Sequence, residues 1–370
     1  MKINLDLAAL EAAEFDLRMG KIGGDTVVLV NPHGFPKYPT RDWLVFRSSV
    51  WTMDGTLISA GFKKFFNLTE QPQLVPDPTD EDLKTAEVME KLDGSLLIVS
   101  KYNGELIVRT RGTLDATVME KNGFEIAELK QRYPKCFDND LLDSESYSFL
   151  YEWTSPLNKI VVPYGQVCDI KLVGCVLHED YSYMSQDVLD ELAKDINVGR
   201  PRRFKFSSMS DIIALMVTLQ GEEGYCIYYN GGQDIKKVKS DWYLSRHRFK
   251  ENCSLEFILD AYVNAGEPSY VDFVEGLAKV YDHECLEQAI PFASKVCDAN
   301  RQVKAILNGM QTFVNEKLKP LPTRKEQAML VMSSYGGANN SRAGFVFKLL
   351  DGKTLDKEAI TKLYWQVLKG

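Results

Sequence analysis

Up to about residue 243 this chain is divided by tight-turn dipeptides, and beyond that point they stop. Asp54-Gly55, Asn103-Gly104 and Asn230-Gly231-Gly232 each separate two runs rich in β-branched and aromatic residues, and Gly23-Gly24 does the same near the start. Asn-Gly and Asp-Gly suit two-residue hairpin turns because both central residues need positive φ. After Trp242 the pattern changes. Residues 254–316 and 355–368 carry apolar side chains at helical spacing, as in Leu355, Ala359, Ile360, Leu363, Tyr364, Val367 and Leu368. We therefore expect an α+β chain with a boundary near residue 250: antiparallel sheets over 1–250 and an all-helical domain over 251–370.

Within the first part, strands are expected at 15–21, 27–30, 43–53, 56–60, 96–102, 105–111, 147–153, 173–177, 225–229 and 235–239. Helices are expected at 4–14, up to about 130, and at 185–195, where Ser185 is a plausible cap. Residues 70–90, acidic and broken by Pro72, Pro76 and Pro78, read as a loop with a short capped helix. A net charge of -8 excludes a uniformly basic nucleic-acid coat, so phosphate binding has to come from local clusters. Seven cysteines without a Cys-x-x-Cys pair suggest neither a disulfide framework nor a zinc site, which fits a reducing cytoplasm. Asp6, Glu11 and Glu14 interrupt any signal-peptide core, and no apolar run is long enough to span a membrane.

The chemistry centres on Glu90-Lys91-Leu92-Asp93-Gly94-Ser95, ahead of the apolar run Leu96-Leu97-Ile98-Val99. Lys91 is the candidate nucleophile. A free lysine titrates near about 10.4, so its site must disfavour the ammonium by desolvation or neighbouring cations. Gly94 allows close backbone approach to a nucleotide, and Asp93 could orient the lysine or accept from a ribose. The same four residues also describe an ordinary strand-entry turn. Further cations do occur along the chain. In Lys63-Lys64-Phe65-Phe66-Asn67 the lysines and rings are either the two faces of a strand or a phosphate contact and a stacking ring. Lys237 and Lys239 share one strand face, as a solvated edge or as a phosphate clamp. Glu152 sits in an aromatic run where burial without a partner would be costly, which hints at a ligand.

In order stand Arg47, Lys64-Phe65-Phe66-Asn67, Lys91-x-Asp93-Gly94, Arg111-Gly112, Glu152, Glu223-Gly224 and Lys237-x-Lys239. This order resembles the covalent nucleotidyltransferase superfamily of ligases and capping enzymes. Lys-Phe-Phe-Asn-Leu at 64–68, Asn-Lys-Ile-Val-Val-Pro-Tyr at 158–164 and Lys-x-Lys-Ser-Asp-Trp-Tyr at 237–243 resemble, more closely, the RNA ligase 1 family of T-even phages. The similarity is dense from Arg47 to Tyr243, thin before it, and reduced to length and helicity after it.

The resemblance implies an ATP-grasp-like nucleotidyltransferase domain and a three-step reaction. Lys91 takes AMP from ATP, AMP passes to an RNA 5′-phosphate, and a 3′-hydroxyl displaces it. It further implies that Phe66 stacks on adenine, that Glu152 holds the ribose, and that Arg47, Lys64 and Arg111 contact phosphates. Lys237 and Lys239 would neutralise phosphate charge and lower the pKa of Lys91, Asp93, Gly94 and Gly224 would belong to the nucleotide site, and Glu223 would meet Mg²⁺. The implied substrate is RNA, a tRNA with a broken anticodon loop, whose ends a polynucleotide kinase-phosphatase prepares; a cytoplasmic monomer is expected. Two departures stand out. Ser48 follows Arg47 where the family usually has glycine, and Arg111 stands where lysine is usual.

A DNA ligase or capping enzyme would continue after the last lysine motif into a strand-rich barrel, and a non-catalytic RNA-binding protein would have lost the lysine or its partners. In the helical half, residues 255–298 hold nine acidic residues against two lysines, and 299–370 hold twelve basic against five acidic. Arg324, Lys325 and Arg342, beside the 336–340 loop, are the expected contacts for an RNA backbone.

Overall fold

The computed structural model describes residues 1–33, 38–280, 283–336 and 342–369. Contacts divide the chain into two compact units, Met1–Ser245 and Arg246–Gly370. The strands of the first, in chain order, are β1 (Phe15–Ile22), β2 (Asp25–Pro32), β3 (Ser49–Thr52), β4 (Leu57–Ala60), β5 (Phe66–Asn67), β6 (Glu87–Lys91), β7 (Ser95–Tyr102), β8 (Glu105–Thr110), β9 (Tyr147–Thr154), β10 (Asp169–Leu177), β11 (Arg203–Phe204), β12 (Gly224–Tyr229) and β13 (Asp234–Lys239). They form three sheets, ordered β1-β2-β3-β4, β10-β9-β7-β8 and β11-β6-β12-β13-β5. Every pairing is antiparallel except that of β5 with β13.

The turn dipeptides act as their chemistry requires. Asn103 and Gly104 have φ of 48° and 76°, and Asn230 and Gly231 have 53° and 63°, so two hairpins close where local sequence alone places them. Other elements depart from expectation. The expected strand at 43–53 begins only at Ser49, because Arg41–Val45 coils into a 3₁₀ turn that buries Leu44 and Val45. Residues 87–91, expected to end a loop, form β6, whose Val88 and Met89 are buried while its backbone pairs with β11 and β12. An unexpected helix, Met209–Thr218, is started by the Ser208 side chain, which accepts from the Asp211 N–H.

One core joins the second sheet to the helices Glu125–Arg132 and Gln186–Asp195 around Trp153, Tyr151 and Phe149. Each such side chain, fully buried, contributes on the order of 2 kcal/mol by removing apolar area from water. A second core, with Val28, Trp51, Ile98 and Leu150, locks the first sheet against the second. The β6, β12 and β13 ends that carry the chemistry thus sit on a rigid base.

The second unit is helical, with Leu255–Asn264, Tyr270–Ala278, His283–Phe313, Arg324–Tyr335, Ala343–Leu350 and Lys357–Leu368 among its elements. Its core includes Ile258, Tyr262, Val303, Val331, Leu363 and Tyr364. Among the described residues no strand follows Lys239, so no strand-rich barrel is seen after the last lysine motif. Residues 337–340 of the expected RNA-contacting loop lie outside the described residues. Two of the cations expected beside it are engaged at home: Arg324 pairs with Asp351 at 2.6 Å and lies over the Phe347 ring, and Arg342 donates to Gln366 Oε1 at 2.9 Å.

Candidate active site

Lys91 is the last residue of β6, and the ladder sets Gly224 opposite both Lys91 and Lys239. Glu223, one residue earlier and almost wholly buried, thereby comes to lie between two lysines. Its Oε2 accepts from Lys91 Nζ at 2.6 Å, and its Oε1 pairs with Lys239 Nζ at 2.9 Å. Gly224 has φ of 144°, and a Cβ there would lie 2.1 Å from the Val238 carbonyl oxygen. Glycine is required so that three strand ends can converge; a side chain would push β13 away.

Above this bridge opens a cleft of about 500 Å³, with Arg47, Lys91, Gly94, Arg111 and Glu152 in its wall, together with Phe65, Ile160, Cys226 and Tyr228. Arg47 and Lys237 both approach the Phe65 ring, at 5.2 and 5.4 Å from its centroid. Lys237 also stands within the field of Lys91, Arg47, Lys239 and Lys64. Burial first, and those cations second, bring it down to about 8. Arg47 is lowered by burial and then by Arg111.

The expectation for Lys91 is reversed. Burial acts to lower its pKa, but the Glu223 carboxylate, through its charge and its hydrogen bond, outweighs burial and raises it. Lys239 cannot lower it much while its own charge is spent on the same carboxylate. Paired with Glu223 in this way, Lys91 holds its proton. Glu152 is the counterpart: burial, partly offset by Lys91 and reinforced by Glu223, pushes its carboxyl up to about 7, while Oε1 accepts the Gly94 N–H at 2.9 Å.

Four further expectations are corrected by packing. Phe66 is 2 % exposed and belongs to the core with Leu44, Val75 and Ile227, so it cannot stack on a base; its neighbour Phe65 faces the cleft. Asp93 neither touches Lys91 nor faces a ribose. Its Oδ2 accepts from the Val161 and Val162 N–H groups at 2.7 and 2.8 Å, and its Oδ1 from Tyr243 O–H at 2.8 Å, while its own N–H donates to Tyr164 O–H at 2.7 Å. The two late motifs, at 158–164 and 237–243, thus converge on one carboxylate. Gly94 is glycine because a Cβ would lie 2.4 Å from the Trp153 carbonyl oxygen, before any nucleotide is considered. Lys64 does not line this cleft but the adjoining cavity that shares Phe65, with its ammonium 5.2 Å from the Phe66 ring centroid.

Sequence reasoning overlooked Lys236. It is fully buried, paired with Asp77 at 2.9 Å and donating to the Glu70 carbonyl at 2.8 Å, which ties the acidic 70–78 loop to β13. Strand alternation places it opposite Lys237, which was a usable signal.

The described residues contain no group of three or more His, Cys, Asp or Glu side chains able to cage a metal. Glu152 and Glu223 still suit Mg²⁺ that arrives with phosphates, since that ion typically takes one or two carboxylates and keeps waters and phosphate oxygens. Burial, the main cause of the raised Glu152, and then the charge of Glu223 disfavour its ionised form, which a bound cation would favour.

The pattern defining the RNA ligase family, in its T4 RNA ligase 1 form, matches residues 45–253, which include every site residue named above. The chain belongs to the RNA ligase family. The resemblance read from its motifs is thereby borne out. It is 27 % identical over 209 residues to a protein of Autographa californica nuclear polyhedrosis virus described as a bifunctional polynucleotide kinase/RNA ligase, a match covering 52 % of this chain and 29 % of that protein. Measured against that relative, the match spans less than a third of its length. Among solved structures, an archaeal ATP-dependent RNA ligase has a TM-score of 0.46 at 13 % identity, covering 98 % of this chain and 95 % of the other. A Naegleria gruberi RNA ligase with pyrophosphate has 0.41 at 15 %, covering 59 % and 65 %.

Proposed function

We propose that this chain seals RNA ends with ATP through a lysine-AMP intermediate on Lys91. The observation that carries the reading is the Lys91–Glu223–Lys239 bridge, whose Lys91 lines the cleft together with Arg47 and Arg111, in a chain of this family. In the first step Lys91 Nζ attacks the α-phosphorus of ATP; a P–N bond forms, the bond to the β-phosphate oxygen breaks, and pyrophosphate leaves. An RNA 5′-phosphate oxygen then takes AMP and returns the lysine amine. In the third step an RNA 3′-hydroxyl oxygen attacks that 5′-phosphorus, the phosphodiester forms, and AMP leaves.

The residues account for the order of events. While Glu223 neutralises Lys91, the amine keeps its proton and cannot attack. Glu223 and Glu152 would hold a Mg²⁺ brought with the triphosphate, and the ion would supply charge neutralisation at phosphorus. Burial and the neighbouring Lys237 and Lys239 favour the neutral amine once the proton held against Glu223 is released. Arg47, Lys237, Lys239 and Arg111 hold phosphate oxygens, with Lys64 alongside, and positioned positive charge in a site shielded from water is the main requirement of phosphoryl transfer. Phe65, in place of Phe66, supplies the ring facing the cleft.

The finer reading is repair of broken tRNA anticodon loops in partnership with a kinase-phosphatase that prepares the ends. The polynucleotide kinase named in the viral relative supports it. Residues 1–250 then perform the chemistry and 251–370 select the RNA. With Arg324 and Arg342 engaged, Lys317, Lys319 and Lys325, which make no ion pair among the described residues, become the stronger phosphate contacts.

The test is incubation with α-labelled ATP and Mg²⁺, then denaturing electrophoresis. The protein becomes labelled and Lys91→Ala abolishes the label; equal labelling of both proteins refutes the reading. Changing Lys317, Lys319 and Lys325 to alanine leaves labelling intact and flattens the salt dependence of tRNA binding.

A further inference from the structure

Arg109, on β8, is absent from the cleft wall, yet it is the largest cation that the first unit encloses completely. No carboxylate among the described residues pairs with it. Its Nε donates to Ser59 Oγ at 2.8 Å, one terminal nitrogen to Ser48 Oγ at 2.8 Å and the Thr110 carbonyl at 3.3 Å, and the other to the Ser48 carbonyl at 2.8 Å. A buried guanidinium without a counter-ion is costly, and burial draws this one down to about 9. Such a group is retained for what it holds.

What it holds is Ser48, by both oxygens. Ser48 has φ of 65°, a left-handed conformation that non-glycine residues seldom adopt. Its N–H is fixed to the Val30 carbonyl at 2.9 Å, and its carbonyl also accepts the Gly61 N–H at 3.0 Å. The next residue back is Arg47, whose guanidinium crosses the cleft wall over Phe65. A change in the Ser48 backbone would redirect Arg47.

We propose that Arg109 is a positioning residue that clamps Ser48 in its left-handed turn and so aims Arg47 into the cleft at the nucleotide phosphates. This rests on the reading of Arg47 as a phosphate ligand. Arg109→Lys keeps the charge but loses the planar fork. Ser48→Gly removes the hydroxyl that Arg109 grips and frees the backbone to leave the left-handed turn.

The test measures KM for ATP and kcat of lysine-AMP formation, with melting temperature alongside, for each change alone and on an Arg47→Ala background. The expected result is a KM raised on the order of tenfold by Arg109→Lys, and a few-fold by Ser48→Gly, with kcat nearly unchanged. On the Arg47→Ala background neither change has a further effect, because the group they position is gone. Losses that add to that of Arg47→Ala overturn the proposal and leave Arg109 a packing residue. Should Arg109→Lys fail to fold, Ser48→Gly carries the same cycle. Crystal structures of the wild type and Ser48→Gly supply an arm that needs no nucleotide. Displacement of the Arg47 guanidinium from Phe65 supports the clamp, and an unmoved guanidinium refutes it. If the wild type forms no lysine-AMP, the reading of the cleft fails, while the crystallographic arm still decides whether Arg109 sets Arg47.

Discussion

The two units bury different things. Asp93, Arg109, Glu125, His178, Glu223, Asp234 and Lys236 are all enclosed within the first unit, whereas the fully buried residues described in the helical unit include no ionisable Asp, Glu, His, Lys or Arg. Ion pairs of the helical unit, such as Arg324–Asp351, Lys348–Asp356 and Lys362–Glu358, lie on its surface. A dry helical core needs only volume and shape. A site that must hold phosphates has to keep charge in place before the ligand arrives, and the first unit does so in two manners. Asp93 and Lys236 are saturated by protein partners and serve as fasteners. Lys91, Glu223, Glu152 and Lys237 are shared, shifted or crowded, so a ligand can rearrange them.

The largest effect should come from breaking the shared group. Glu223→Ala removes the buried carboxylate and leaves the partly buried Lys91 and Lys239 ammoniums uncompensated, with a stability loss of about 3 kcal/mol by urea unfolding and loss of Lys91 labelling. Unchanged stability would mean that the bridge is not formed in solution.

A comparable loss without a loss of chemistry should follow in the helical unit. Leu363→Ala opens a cavity in the apolar core at a cost of about 2–4 kcal/mol, while labelling per folded molecule stays at the wild-type level. A fall in labelling as large as that of Glu223→Ala would erase the distinction between the units.

An acid-dependent effect of intermediate size belongs to the first unit. His178 donates its Nδ1–H to the Glu145 carbonyl at 3.0 Å and its Nε2 accepts from the Ser148 hydroxyl at 2.7 Å, and burial lowers it from 6.5 to about 4. Between those values the unfolded chain binds the additional proton, so the contribution is complete above pH 6.5 and is lost as pH falls toward 4. At pH 5 this amounts to about 2 kcal/mol relative to pH 7. Urea unfolding of His178→Gln should show a correspondingly shallower decline between pH 7 and pH 5. Glu152 has the opposite sign: raised from 4.5 to about 7, it withdraws stability as pH rises through that interval.

The smallest effect is expected at the surface of the helical unit. Arg324→Ala, which breaks the pair with Asp351, should change unfolding free energy by about 0–1 kcal/mol and fade further in salt. A loss above that range would show that surface pairs matter here as buried ones do in the first unit.

How far the chain could be read depended on how local each cause is. The hairpins at Asn103-Gly104 and Asn230-Gly231 were legible because positive φ is a property of two adjacent residues. The change to helices after Trp242 was legible because side-chain periodicity is local too. Family membership was legible because Lys91, Glu152, Glu223, Lys237 and Lys239 are spaced along strands that sequence could place. Alternation along 63–66 showed that Phe65 and Phe66 face opposite ways, but only the packing of Leu44, Val75 and Ile227 decided that Phe66 goes inward. Asp93 was misassigned because its partners lie at 161, 162, 164 and 243. The sign of the Lys91 shift was beyond sequence for the same reason. It depends on a carboxylate 132 residues away, whose distance from Nζ is set by the register of β6 against β12. Coulomb energy follows separation in space, and only the folded chain fixes that separation.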